Sequence, residues 1–155
     1  MARLALLSAL LVSAATLASA SDNQTTCTVL SKYAASNGTQ DDSPAINAAF
    51  AKCAHDGIVL FPKGTDYAVL TPISAQNLSN VEIRMGGNLH LPKNLTYVQE
   101  YYNTTVGSGN LYWFTFAGDQ VHYIGTPNVT TGWINSYGQA WWYACDPLCT
   151  LSVLA

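Results

Sequence analysis

The chain reads as an all-β protein with one helix near its start, and three observations predict this. Apolar residues recur at three- and four-residue intervals at Ile46, Ala49, Phe50 and Cys53, the spacing of one helical face. From Gly57 onward that period gives way to short runs of β-branched and aromatic residues separated by glycine, proline and asparagine, which is the composition of strands and turns. No regular strand–helix alternation follows, which disfavours a Rossmann or barrel architecture and leaves a β-sandwich or a right-handed solenoid of short strands.

The opening MARLALLSALLVSAATLASA sets Arg3 ahead of an apolar run over residues 4–12 and closes on Ala-Ser-Ala. That order predicts a secretory signal peptide over residues 1–20, its apolar segment being too short for a membrane span. A single domain is expected over residues 21–142 and a divergent tail over 143–155. A short strand is expected over 27–30, followed by a turn at Asn37-Gly38. Asp41, Asp42 and Ser43 precede Pro44, which suits a first helical turn because its missing N–H needs no partner there. The helix then runs toward Gly57. Strands are expected over 58–61, 67–70, 81–85 and 89–91, with three more around residues 113, 121 and 132, and glycines 64, 86, 118 and 125 allow bends between them. Tyr97, Tyr101, Tyr102, Tyr112 and Trp113 are expected to fill the core or cover loop bases rather than stack on sugars.

Six Lys and Arg stand against nine Asp and Glu, a formal charge of −3 that becomes −4 once Arg3 is removed. The absence of a basic cluster argues against nucleic acid and membrane as partners, and an acidic polymer would need a local basic site. Asn-x-Ser/Thr sequences begin at Asn23, Asn37, Asn77, Asn94, Asn103 and Asn128, candidate glycosylation sites of an exported chain. The four cysteines, Cys27, Cys53, Cys145 and Cys149, suit the same extracellular compartment, and three disulfide pairings are open to them. His55, His90 and His122 show no ligand spacing, so neither a metal nor a cofactor is expected.

Four blocks then occur in a recognisable order: a Cys-leading first strand; NGTQDDSPAINAAFAKCAHDG followed by IVLFPKG; LSNVEIRMGGNLHLPKN; and VHYIGTPNVTTGWINSYGQAWW. Over residues 26–142 they resemble glycoside hydrolase family 28, the secreted polygalacturonases, and most closely its fungal exo-acting members. The resemblance implies a right-handed single-stranded parallel β-helix of the pectin lyase type, with N-terminal coils and a capping helix present and the fold incomplete. It implies a Cys27–Cys53 bridge holding that helix over the apolar end of the stack. Asp41 and Asp42 are then expected to satisfy free N–H groups at the helix start. Trp141 and Trp142 are expected to pack against a coil, beyond which CDPLCTLSVLA departs from the family.

The activity implied is inverting hydrolysis of α-1,4-galacturonosyl linkages in pectin or pectate, which needs an acid for the leaving oxygen and a base for water. The family's Asn-x-Asp, Gly-Asp-Asp, Gly-His-Gly and Arg-x-Lys triplets are absent from this chain, so no catalytic residue is assigned and the chain alone is expected to be inactive. Asp119 and His122 lack the flanking residues of those triplets and are expected in loop, edge or core roles. The expected partner is pectic polysaccharide, bound by a secreted enzyme that is monomeric when complete. The competing reading is a noncatalytic carbohydrate-binding or cell-wall-associated glycoprotein.

Overall fold

Every strand pairing among the described residues, 24–127 and 130–145 of a computed structural model, is parallel. One sheet orders β1 (Thr25–Thr28), β2 (His55–Phe61), β4 (Ile73–Met85) and β6 (Phe114–Ile124) side by side. A second orders β3 (Asp66–Ala68), β5 (Asn88–His90) and β7 (Ile134–Asn135). Parallel neighbours need a crossover, and from β2 onward the crossover from one strand to the next runs through the other sheet, while the first, from β1 to β2, runs through helices. The chain therefore winds as a parallel β-helix, and the sandwich alternative, which needs antiparallel sheets, falls away.

Winding places like residues above one another. Cys27, Val59, Ile83 and Tyr123 are register partners in successive coils, and the first three are buried. At the bend in the larger sheet, Asp56, Asn80 and Gln120 form another column, with φ of 47°, 53° and 52°. Asn and Asp tolerate this left-handed conformation better than most residues, and Asn80 Nδ2 donates to Asp56 Oδ1 at 2.8 Å, linking two coils at the corner. Gly118 serves close approach: a Cβ there would lie 2.0 Å from the carbonyl oxygen of Leu78 in the coil beside it.

The capping helix is α2 (Ser43–Lys52), whose Ile46, Ala49 and Phe50 are buried. It ends before Gly57 because Cys53 is already tied to Cys27 of β1 and the chain enters β2 at His55. Of the two expected capping carboxylates, only Asp41 meets the helix start, accepting from the Ser43 N–H at 3.0 Å. Asp42 sits in helical backbone geometry (φ −90°, ψ −8°) and makes no side-chain cap, so its carboxyl turns to the strands instead. It accepts from the Lys32 N–H at 2.7 Å and the Ala68 N–H at 3.0 Å.

Several features depart from the expected set, among them a π-helical turn over Tyr102–Val106. β4 begins at Ile73, where the sequence suggests a turn, and α1 (Tyr33–Ser36) and α3 (Leu95–Tyr101) occupy stretches read as irregular. Asn94 caps α3 in extended geometry, its Oδ1 accepting from the Tyr97 N–H at 3.2 Å. The segments expected near residues 113 and 121 merge into β6. Finally, α4 (Gly138–Cys145) carries Trp141 half-buried but leaves Trp142 68% exposed, correcting the expectation that both pack. Adjacent helical residues diverge by about 100°, so one short helix cannot bury both rings on one side.

Tyr67 is fully buried and donates its hydroxyl to the Val29 carbonyl at 3.0 Å. Burial, followed by the nearby Asp42, pushes its pKa up to about 12. A raised folded-state value means the contribution is intact below about pH 10, the ordinary tyrosine value, and is lost as pH climbs through the folded value. Alkaline unfolding monitored by circular dichroism is thus expected to begin between those limits, with Tyr67→Phe shifting the transition to higher pH.

Candidate functional site

The outward face of the smaller sheet gathers the most chemically varied side chains among the described residues. Alternation along the strands sends Tyr67 and Leu89 inward, so Asp66, Asn88, His90 and Asn135 share the opposite face. Asp66 stands beside Asn88 in register, and His90 beside Asn135. One oxygen, Asp66 Oδ1, accepts from Asn88 Nδ2 at 3.1 Å and lies 2.9 Å from His90 Nε2. His90 Nδ1 is 3.3 Å from the Tyr137 hydroxyl. A carboxylate only accepts, so Nε2 carries a proton toward Asp66, and the Tyr137 hydroxyl, which can donate or accept, meets Nδ1.

Aromatic rings wall this polar line. Tyr33 of α1 stacks on His90 with centroids 4.7 Å apart, and Trp133 meets it edge-on at 5.0 Å. Burial, then the neighbouring Tyr137 and Asp66, raises the Tyr33 hydroxyl above its ordinary value. Lys93 Nζ lies 5.9 Å from the centre of the Tyr137 ring, placing a cation at this face. Donors, acceptors, ring faces and one cation are the means by which an acidic sugar is held, but the group contains no activated nucleophile. The sequence does not advertise it, because its members lie 22 to 47 residues apart and meet only through the coil register.

Asp119 and His122, by contrast, lie exposed along β6, with His122 paired in register with Glu82. Among the described residues no group of three or more His, Cys, Asp or Glu is placed to hold a metal ion. Cys27 and Cys53 form a disulfide with Cα atoms 6.1 Å apart. Cys149 lies outside the described residues, as does the side chain of Cys145, and so the second cysteine pair does too. Asn37, Asn77, Asn94 and Asn103 are all exposed, while Asn23, Asn128 and the segment 1–20 also fall outside the described residues. No described helix is long and apolar enough to cross a membrane.

At the last described coil the inward face lies open. Tyr123 and Ile134 are 54% and 47% exposed, and with Phe50, Phe114 and Phe116 they line an apolar hollow of about 150 Å³.

The chain is 59% identical over 112 residues to a protein named probable exopolygalacturonase C of Aspergillus terreus, covering 72% of this chain and 25% of that protein. It is 50% identical over 141 residues to one of the same name from Neosartorya fischeri, covering 87% and 31% respectively. An exopolygalacturonase of Rhizopus delemar is 34% identical over 110 residues, or 71% of this chain and 25% of its own. The chain thus spans between a quarter and a third of the length of the curated relatives it matches. No family model and no solved structure matches it.

Proposed function

The chain is a partial-length relative of the polygalacturonases, glycoside hydrolase family 28, and from that we propose that it forms the N-terminal coils of a secreted enzyme that hydrolyses α-1,4-galacturonosyl linkages in pectin. The observation that carries the reading is the 50–59% identity to proteins named probable exopolygalacturonase C over 112 and 141 residues. On this reading residues 1–20 direct export, residues 21–142 belong to the β-helix, and residues 143–155 diverge from it. The open apolar pair Tyr123 and Ile134 suits the inward face of a following coil, whose strand would pair with β6.

The chemistry itself needs two carboxyl groups about 6.5–9.5 Å apart with water between them. The chain carries none of the family's four catalytic triplets, so purified alone it is expected to release no reducing ends from polygalacturonate. A chimaera in which residues 21–142 replace the matching segment of the Aspergillus terreus relative is expected to keep that protein's activity on polygalacturonate. A folded but inactive chimaera overturns the hydrolase reading, and hydrolysis by the isolated chain overturns its inactivity.

The absent triplets also favour a second reading, a noncatalytic secreted carbohydrate-binding protein. Saturable binding of oligogalacturonate to the isolated chain, together with an inactive chimaera, supports that alternative.

A further inference from the structure

Beside the π-helical turn Tyr102–Val106 lies an open hollow of about 380 Å³, lined by Val98, Gln99, Tyr102, Asn103, Leu111 and Trp141. Its walls come from three parts of the chain: α3 with the π turn, the loop ahead of β6, and α4. Tyr102 is fixed at one side, its hydroxyl donating to the Gly109 carbonyl at 3.0 Å. Trp141 is half-buried at another. Asn103 is exposed at the rim and opens the sequence Asn103-Thr104-Thr105. The middle residue is turned away, since the Thr104 hydroxyl donates back to the Glu100 carbonyl at 2.8 Å.

We propose that Asn103 is N-glycosylated and that the first N-acetylglucosamine of its glycan folds back into this hollow, packing between Tyr102 and Trp141. Attachment joins Asn103 Nδ2 to C1 of the sugar. The bond from C1 to the oxygen of a lipid-diphosphate oligosaccharide donor breaks, the lipid diphosphate leaves, and the displaced amide proton passes to solvent. The apolar CH face of a pyranose suits aromatic walls, and the Gln99 amide offers its acetamide group a polar partner. A ligand tethered at the rim needs little affinity, because its effective concentration reaches the millimolar range. The docked sugar bridges α3 to α4, which belong to distant stretches of chain. The other exposed sequons differ: Asn94 is engaged as the cap of α3, and Asn37 and Asn77 lie at left-handed bends.

The inference rests on the export proposed above, and the state of the other sequons separates the two. The chain is secreted from a fungal host, and its glycopeptides are examined by mass spectrometry. Sugar at Asn103 is the expected result; its absence overturns the inference, and absence at every sequon sinks the export reading as well. Docking is then tested by a cycle of Thr105→Val, which removes the sequon, and Trp141→Ala. Loss of the glycan is expected to lower Tm by roughly 4 °C with Trp141 present and by less than ~1 °C without it. Equal lowering in both backgrounds overturns the docking. A readout on the unaltered protein does not depend on the variants folding: endoglycosidase trimming at Asn103 is expected at least tenfold slower in the native chain than after denaturation. Equal rates overturn it.

Discussion

Asp42→Ala is expected to lower the stability of the chain by about 3–5 kcal/mol, measured by urea unfolding with the denaturant slope unchanged. Asp42 is 1% exposed, and its carboxyl joins the N-terminal segment to the second sheet through several hydrogen bonds at once. One oxygen accepts from the Lys32 N–H, the other from the Ala68 N–H and, at 3.3 Å, the Ser31 hydroxyl. Alanine supplies no acceptor, so the buried Ala68 N–H and the part-buried Lys32 N–H keep their desolvation cost, about 1–3 kcal/mol each, without a partner. The Ser31 hydroxyl has a second acceptor in the Asp66 carbonyl and adds little to the loss. Asp42→Asn retains one acceptor oxygen and is expected to lose roughly half as much. A change below about 1 kcal/mol for alanine would show that solvent replaces the carboxyl and that the junction is not closed to water. Because Ser31 also touches Asp66, the same variant is expected to loosen the His90 face without altering any residue of it.

How much of this was legible in the sequence depends on whether a feature is local. The stripe at Ile46, Ala49 and Phe50 and the proline at position 44 predict α2 because helix periodicity and first-turn chemistry act within four residues. Strand positions were legible to within a few residues for β2, β3 and β5, where apolar runs are bounded by Pro62, Gly64 and the Gly86-Gly87 pair. The opening of β4 was not, because Ile73-Ser74-Ala75 is too short to show a period and its strand character comes from pairing with residues 114–116 of β6. Likewise α1 has no buried residue and no capping side chain, leaving no local signal to read. The His90 face was hidden for a different reason. Asp66, His90 and Tyr137 belong to three different coils, and only the register set by stacked inward residues brings them within 3.3 Å. Asp41 and Asp42 were recognised as structural, but the partner of Asp42 was misjudged because one backbone angle decides whether a carboxyl caps its own helix or reaches a neighbouring strand.

The double replacement Cys27→Ala/Cys53→Ala is expected to destabilise the chain by about 3 kcal/mol, on the scale set by the loop entropy that a bridge removes from the unfolded state. The two residues are 26 apart in sequence, and both are buried where α2 meets β1. The replacement also removes two sulfurs from a packed region, so small cavities add to the entropic loss. The bridge does more than shorten a loop, because β1 is only four residues long and, among the described residues, pairs with β2 alone. Short edge strands are weakly held, and the cap helix is covalently tied to this one. Amide exchange in the bridged and unbridged proteins is therefore expected to diverge over β1 and α2, while the β4 and β6 pairing at the far side keeps its relative protection. Uniform acceleration through all coils would instead mean that the cap and the coils unfold as one cooperative unit. A loss below about 0.5 kcal/mol would mean that the Ile46, Ala49 and Phe50 stripe holds the cap by burial alone, without help from the covalent tie.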